Sequence, residues 1–254
     1  MPYFEELNIL FIHIPKTGGS SVEKYFEKKI NKKLSKNFLY SKTEKFNEMH
    51  SYQHMTFNEI LKNKELLKIN INDETFIFTI VRNPYERIIS ELFFRKMINK
   101  SSSPEYVEKK IINYLKSKET YDNHKIPQYS FIIFENSMIN NNIKIIKTEN
   151  LNNDMKYLGF NDFENIEELK THRNNLDYYS YLNNNSIKNI NEYYVLDFII
   201  FDYEQINTIE SFENNNINNY NKNNKNNKNN NKIIFVIFFI MLYILSLILL
   251  YIFL

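Results

Sequence analysis

Three groups of residues in this sequence could do chemistry together: Lys16 to Ser21, Arg82 with Ser90, and a set of histidines. Lys16-Thr17-Gly18-Gly19-Ser20-Ser21 packs one ammonium, two glycines and three hydroxyls into six residues. The whole chain has three glycines, and two of them stand here side by side. Glycine tolerates positive φ and lets backbone come close to a ligand. The unpaired N–H groups of a helix start, with a lysine at the mouth, make an anion site. Arg82 offers a second fixed positive fork, suited to a phosphate. Histidine is the side chain best matched to taking a proton near neutral pH, and five are available: His13, His50, His54, His124 and His172.

Each group needs elements to hold it. Ile9 to Ile14 is nearly all apolar and β-branched, as expected for a strand buried on both faces of a parallel sheet. After the glycines, Val22, Tyr25, Phe26 and Ile30 recur at helical spacing, with Glu23, Lys24, Lys28 and Lys29 assigned to other faces. Phe76 to Val81 reads as a second strand delivering Arg82 at its end. Asn83 is then a helix N-cap, Pro84 the first helical residue, and Glu86 a box-like third position. Tyr85, Ile88, Ile89, Leu92 and Phe93 form the apolar face of that helix, leaving Arg87 opposite and Ser90 on the flank. Thr56 and Glu59 form a capping box just after His54. Glu105 to Lys118 reads as a surface helix and Ile143 to Lys147 as a third strand. The pattern predicts an α/β fold that binds ligands at the carboxyl ends of its strands.

The order is not that of the Walker loop, because Lys16-Thr17 precedes the glycines and Phe11 stands where its first glycine belongs. HIPKTGGSS resembles instead the 5′-phosphosulfate loop of the sulfotransferases, in particular the branch of the heparan sulfate 2-O- and 6-O-sulfotransferases and their bacterial relatives. VRNPYERIISEL resembles that branch's 3′-phosphate motif, HMTFNEI its His-x-Thr segment, and KTENLNNDMKYLGF, HRNNLDYYSYL and YYVLDFIIFDY its later segments. The resemblance spans about residues 8–206. It implies a P-loop-like, doubly wound parallel sheet with flanking helices and a 3′-phosphoadenosine 5′-phosphosulfate co-substrate without metal. Lys16, Thr17, Gly18, Gly19, Ser20 and Ser21 would hold the 5′ end of that donor, and Arg82 with Ser90 its 3′-phosphate. Lys16 would also stabilise the leaving oxygen. His54 would be the general base toward an acceptor hydroxyl, a glycan by resemblance, with His50 in reserve. His13 is expected to orient the loop. Arg173 could reach a phosphate, and Asp197 is expected on a helix surface or at a cap. A nucleotide phosphotransferase, or an inactive binding module of the same fold, is the alternative.

Composition narrows the partners. Without cysteine there is no thiolate catalysis, Cys-ligated zinc or disulfide. Residues 1–213 carry 28 basic and 30 acidic side chains, which is not the footprint of a nucleic-acid binder. Residues 214–232 hold thirteen Asn and four Lys, a composition that cannot bury a core and predicts a disordered tether. Ile233 to Leu254 is 22 residues without a charge, long enough to span a bilayer. The expected organisation is therefore a catalytic domain over 1–213, a linker over 214–232 and a transmembrane helix over 233–254. The flanking lysines predict that the domain stays on the cytosolic side.

Overall fold

Four strands make one sheet in the order β1 (Tyr3–Phe4), β2 (Ile9–Ile12), β3 (Phe76–Val81) and β4 (Lys144–Lys147). The computed structural model describes residues 2–34, 51–134, 142–163 and 177–209. The Asn/Lys-rich tract, the apolar stretch 233–254, His50, His172 and Arg173 lie outside these residues. Among the described residues no helix is long and apolar enough to cross a membrane. Residues up to Thr208 form one unit.

β1 is antiparallel to β2, while β2, β3 and β4 run parallel. Their alternation sends side chains to two cores. Leu10, Ile12, Ile77 and Val81 face one core with Phe57, Ile60, Phe131 and Phe201. Ile9, Phe11, Phe78 and Ile80 face the other with Val22, Phe26, Leu151 and Met155. A strand buried on both faces has no reason to alternate with polar residues, which is why these segments read as continuous apolar runs. Helices therefore flank the sheet on both sides. The described strands lie in sequence order, so a reversal point of the doubly wound kind is not among them.

Seven helices, as described, follow the strands: α1 (Gly19–Lys29), α2 (Phe57–Lys62), α3 (Pro84–Phe94), α4 (Pro104–Lys116), α5 (Leu151–Tyr157), α6 (Asn184–Tyr193) and α7 (Val195–Ile200). The caps match the sequence except at Glu86, which pairs with Arg82 and leaves the Asn83 N–H to Glu149. Thr56 and Glu59 complete both halves of the capping box of α2. Asn83 accepts from the Tyr85 N–H, with Pro84 opening α3. The helix expected at 105–118 is α4, and it is not merely superficial: it buries Val107, Ile111 and Tyr114, and packs on α6.

Two side chains assigned to solvent faces lie inside. Arg87 is buried, donating from Nε to the Pro15 carbonyl and from its terminal nitrogens to the Ile126 and His124 carbonyls. Glu23 is buried against His13 and Gln53. Helical periodicity sorts residues by polarity, and a charged group whose partners come from distant loops defeats that sorting.

Candidate active site

The chain leaves β2 at His13 and re-enters helix at Gly19. Between them the backbone turns sharply, with Lys16 at φ 69° and Gly18 at φ 91°. Gly18 is thus the N-cap of α1 in the left-handed region that favours glycine. Gly19 is required for a different reason: a Cβ there would lie 2.4 Å from two atoms of the His13 ring. The Thr17 hydroxyl, expected among the donor-binding groups, is fully buried and donates to the Ile14 carbonyl at 2.7 Å. It fastens the turn and is not turned toward solvent. Ser20 is exposed at the start of α1, whereas Ser21 is buried.

The carbonyl side of the loop is tied down from two other strands. Arg87 holds the Pro15 carbonyl, and the Arg82 guanidinium reaches the Lys16 carbonyl at 3.4 Å. Thr148, just after β4, bridges the Thr17 and Val81 carbonyls at 2.6 and 3.0 Å. Three consecutive loop carbonyls, those of Pro15, Lys16 and Thr17, are thus engaged by side chains from outside the loop.

Arg82 is equally fixed. Its backbone N–H donates to Gln128 Oε1 and its carbonyl accepts from Gln128 Nε2. Gln128 is positioned in turn by Asp197, whose two oxygens accept the Gln128 and Tyr129 N–H groups at 2.8 and 2.9 Å. Asp197 is fully buried, which corrects its assignment to a helix surface, while its bonds to the first two N–H groups of the 3-10 turn Gln128–Phe131 give it a capping role. Burial raises its carboxyl to about 6, against the opposing pull of Arg87 and the backbone donors. The Arg82 guanidinium pairs with Glu86 at 3.0 Å and lies over the Tyr178 ring. Burial works against its charge, yet Tyr178 and Glu86 outweigh it and keep it firmly protonated. Ser90 is buried on α3 one turn beyond Glu86, at the i,i+4 spacing that shares a helix face.

Beside the loop stand three histidines, each with its own carboxylate on Nδ1. His13 meets Glu23 at 2.6 Å, His54 meets Asp122 at 2.9 Å, and His124 meets Glu91 at 2.7 Å. The rings meet nearly at right angles, His13 to His54 at 5.3 Å and His54 to His124 at 4.8 Å between centroids. His54 and Gln53 come from one short 3-10 turn, Tyr52–His54, and Gln53 donates to Glu23 beneath the loop. Asp122 sits in a turn where Tyr121, Asp122 and Asn123 all have positive φ. Side chains hold this uncommon backbone in place. Asp122 accepts from the Ser51 N–H and hydroxyl, and Asn123 donates to the His54 carbonyl. Burial drives His54 down to about 4, more than Asp122 can restore, and the flanking His13 and His124 push the same way. Asp122 falls to about 2, because the bonds from His54 and Ser51 outweigh its own burial. At neutral pH the pair is therefore a neutral imidazole on an ionised carboxylate, with Nδ1–H donated and Nε2 left as the basic nitrogen.

The sequence profile of a sulfotransferase family matches residues 3–204. The chain belongs to the sulfotransferase family. No curated protein and no solved structure matches it. In this sulfotransferase the matched span runs from β1 to beyond α7, and so contains the loop, Arg82 and all three described histidines.

Most expected site residues of this sulfotransferase come together, while several others were not singled out. Asp122, Glu91 and His124 were missed as a group, and so were Gln53 and Gln128. Neither Gln128 nor Asp122 lies in a motif to which the sequence gives a role. Among the described residues, His54, Asp122 and His124 are also the group able to approach a metal ion, with ligating atoms within 4.8 Å of one another. Their hydrogen bonds serve to fix imidazole tautomers in the arrangement seen.

Proposed function

We propose that this sulfotransferase moves a sulfuryl group from 3′-phosphoadenosine 5′-phosphosulfate to an acceptor hydroxyl. The observation that carries this reading is the shared framework of loop and base. The 3-10 turn that supplies His54 also supplies Gln53 to the Glu23–His13 pair beneath Gly19. A base and an anion cradle built on one support suit a reaction limited by positioning.

Each residue then has a role. The N–H groups from Lys16 to Ser20 hold the 5′ end of the donor, and Arg82 with Ser90 takes the 3′-phosphate. As the acceptor oxygen bonds to sulfur, the bond from sulfur to the bridging oxygen breaks, and Lys16 stabilises the charge left there. The acceptor proton passes to His54 Nε2, while Asp122 holds Nδ1–H and stabilises the resulting imidazolium. Lysine and the backbone supply the positive charge, so the reading needs no metal. The acceptor is a glycan hydroxyl, following the branch that the loop resembles. The stretch 233–254 is read as a membrane anchor joined to the domain by the 214–232 tether, with the domain on the cytosolic side.

The test is formation of adenosine 3′,5′-bisphosphate from the donor in the presence of saccharide acceptors. Wild type should turn over. Lys16→Ala should lose turnover and donor affinity together, and His54→Ala should lose turnover while binding the bisphosphate normally. Transfer surviving in His54→Ala would place the base elsewhere.

A further inference from the structure

Phe94, the last residue of α3, is 54% exposed, although it is a large apolar ring beside the site. Packing into a core does not explain it. Its contacts do. The Lys16 ammonium lies 4.1 Å from the Phe94 ring centroid. The ring also stacks on His124, at 5.6 Å and 17° between planes. His124 in turn meets His54 edge-to-face and is fixed by Glu91. Glu91 is anchored by Arg95 and the Tyr114 hydroxyl. One ring thus joins the lysine of the loop to the imidazole beside the base, on a helix whose first turn carries Glu86, the partner of Arg82.

We propose that Phe94 is a positioning residue that sets the spacing between Lys16 and the His124–His54 pair. This inference rests on the roles proposed above for Lys16 and His54. In-line transfer places the leaving and attacking oxygens on opposite sides of one sulfur atom. The cation serving the first oxygen and the base serving the second must therefore keep a fixed separation. Phe94 is a rigid spacer suited to that task. The negative face of its ring attracts the ammonium, and stacking holds the imidazole. Glu91 stops His124 from turning away. Phe94 touches no reacting atom in this scheme and acts through Lys16 and His124.

The test compares Phe94→Ala, Phe94→Leu and Phe94→Tyr in the full chain. Bisphosphate formation from the phosphosulfate donor is followed with water and with a neutral disaccharide as acceptor. Bisphosphate affinity and melting temperature are measured in parallel. Displacing positioned groups by about an ångström lowers rate by roughly 100-fold, and a loss of that order in kcat is expected for Phe94→Ala. Bisphosphate affinity and melting temperature should stay at wild-type values. Phe94→Tyr keeps the aromatic face and should restore the rate, whereas Phe94→Leu keeps bulk only and should fall with Phe94→Ala. Wild-type turnover in Phe94→Leu would overturn the proposal, as would loss of bisphosphate binding in step with kcat. Failure of this inference alone would leave Lys16→Ala and His54→Ala inactive. Failure of the underlying reading would leave one of those two active.

Discussion

Gly19 and His13 are in such close contact that any side chain at position 19 would enter the imidazole ring, at 2.4 Å from two of its atoms. The His13–Glu23 pair therefore shapes the start of α1 from below. Gly19→Ala should cost about 1–3 kcal/mol, as overpacking does, and should weaken donor binding. Shortening His13 makes room for the new methyl. His13→Ala with Gly19→Ala should accordingly be less damaging than the sum of the single changes, in a double-mutant cycle on melting and bisphosphate affinity. Strict additivity would mean that the two residues do not interact as described.

Asp122 fixes the tautomer of His54. Asp122→Asn should leave bisphosphate binding intact and lower turnover by about 100-fold or more, the usual scale for general-base catalysis. An unchanged rate would show that His54 needs no orienting carboxylate.

The pH profile should carry the same signature. His54 is held down to about 4, so the acid limb of kcat/KM should fall near that value and not near 6.5. Stability should respond too. His54 and His124 are both lowered by burial, so below 6.5, and for His54 down to about 4, the unfolded chain binds more protons at these groups than the folded one. Stability is therefore full above about 6.5 and falls as pH drops through this window, by at most about 1.4 kcal/mol per pH unit for each group. Asp197, raised to about 6, acts in the opposite direction: its folded form keeps a proton that the unfolded chain loses near 3.8. Comparing urea unfolding of wild type and His54→Gln isolates the histidine. The variant should show the shallower acid loss, and identical curves would contradict the burial of a neutral imidazole.

Arg82 should read the 3′-phosphate. Hydrogen bonds to charged groups contribute about 1.5–3 kcal/mol, roughly 10- to 100-fold in affinity. Arg82→Ala should lose most of its preference for adenosine 3′,5′-bisphosphate over AMP in calorimetric titration. Preserved discrimination would remove Arg82 from that role.

What the sequence disclosed and what it hid follow one physical division. Thr56 with Glu59, Asn83 with Pro84, and the glycine pair act within a few residues of themselves, so their roles lie on the surface of the text. The apolar runs at β2 and β3 were legible because both faces are buried. The strand expected to reach Ile14 stops at Ile12, since His13 turns toward Glu23 instead of continuing the sheet. Asp122 and His54 are 68 residues apart, Gln128 and Arg82 are 46, and Gln128 and Asp197 are 69. Such pairs exist only once the chain has folded. Arg87 and Glu23 went wrong for the same reason, because their partners are supplied by distant segments.

The most direct measurement is thermal melting of the full chain with adenosine 3′,5′-bisphosphate, with ATP plus magnesium, and with AMP, each at one concentration. A ligand at about a hundred times its dissociation constant adds roughly 2.7 kcal/mol, a shift of about 5–11 °C for a domain of this size at about 2–4 °C per kcal/mol. The bisphosphate should raise the melting temperature clearly and the other two should not. A rise with magnesium–ATP and none with the bisphosphate would contradict the phosphosulfate donor and make the loop that of a phosphotransferase.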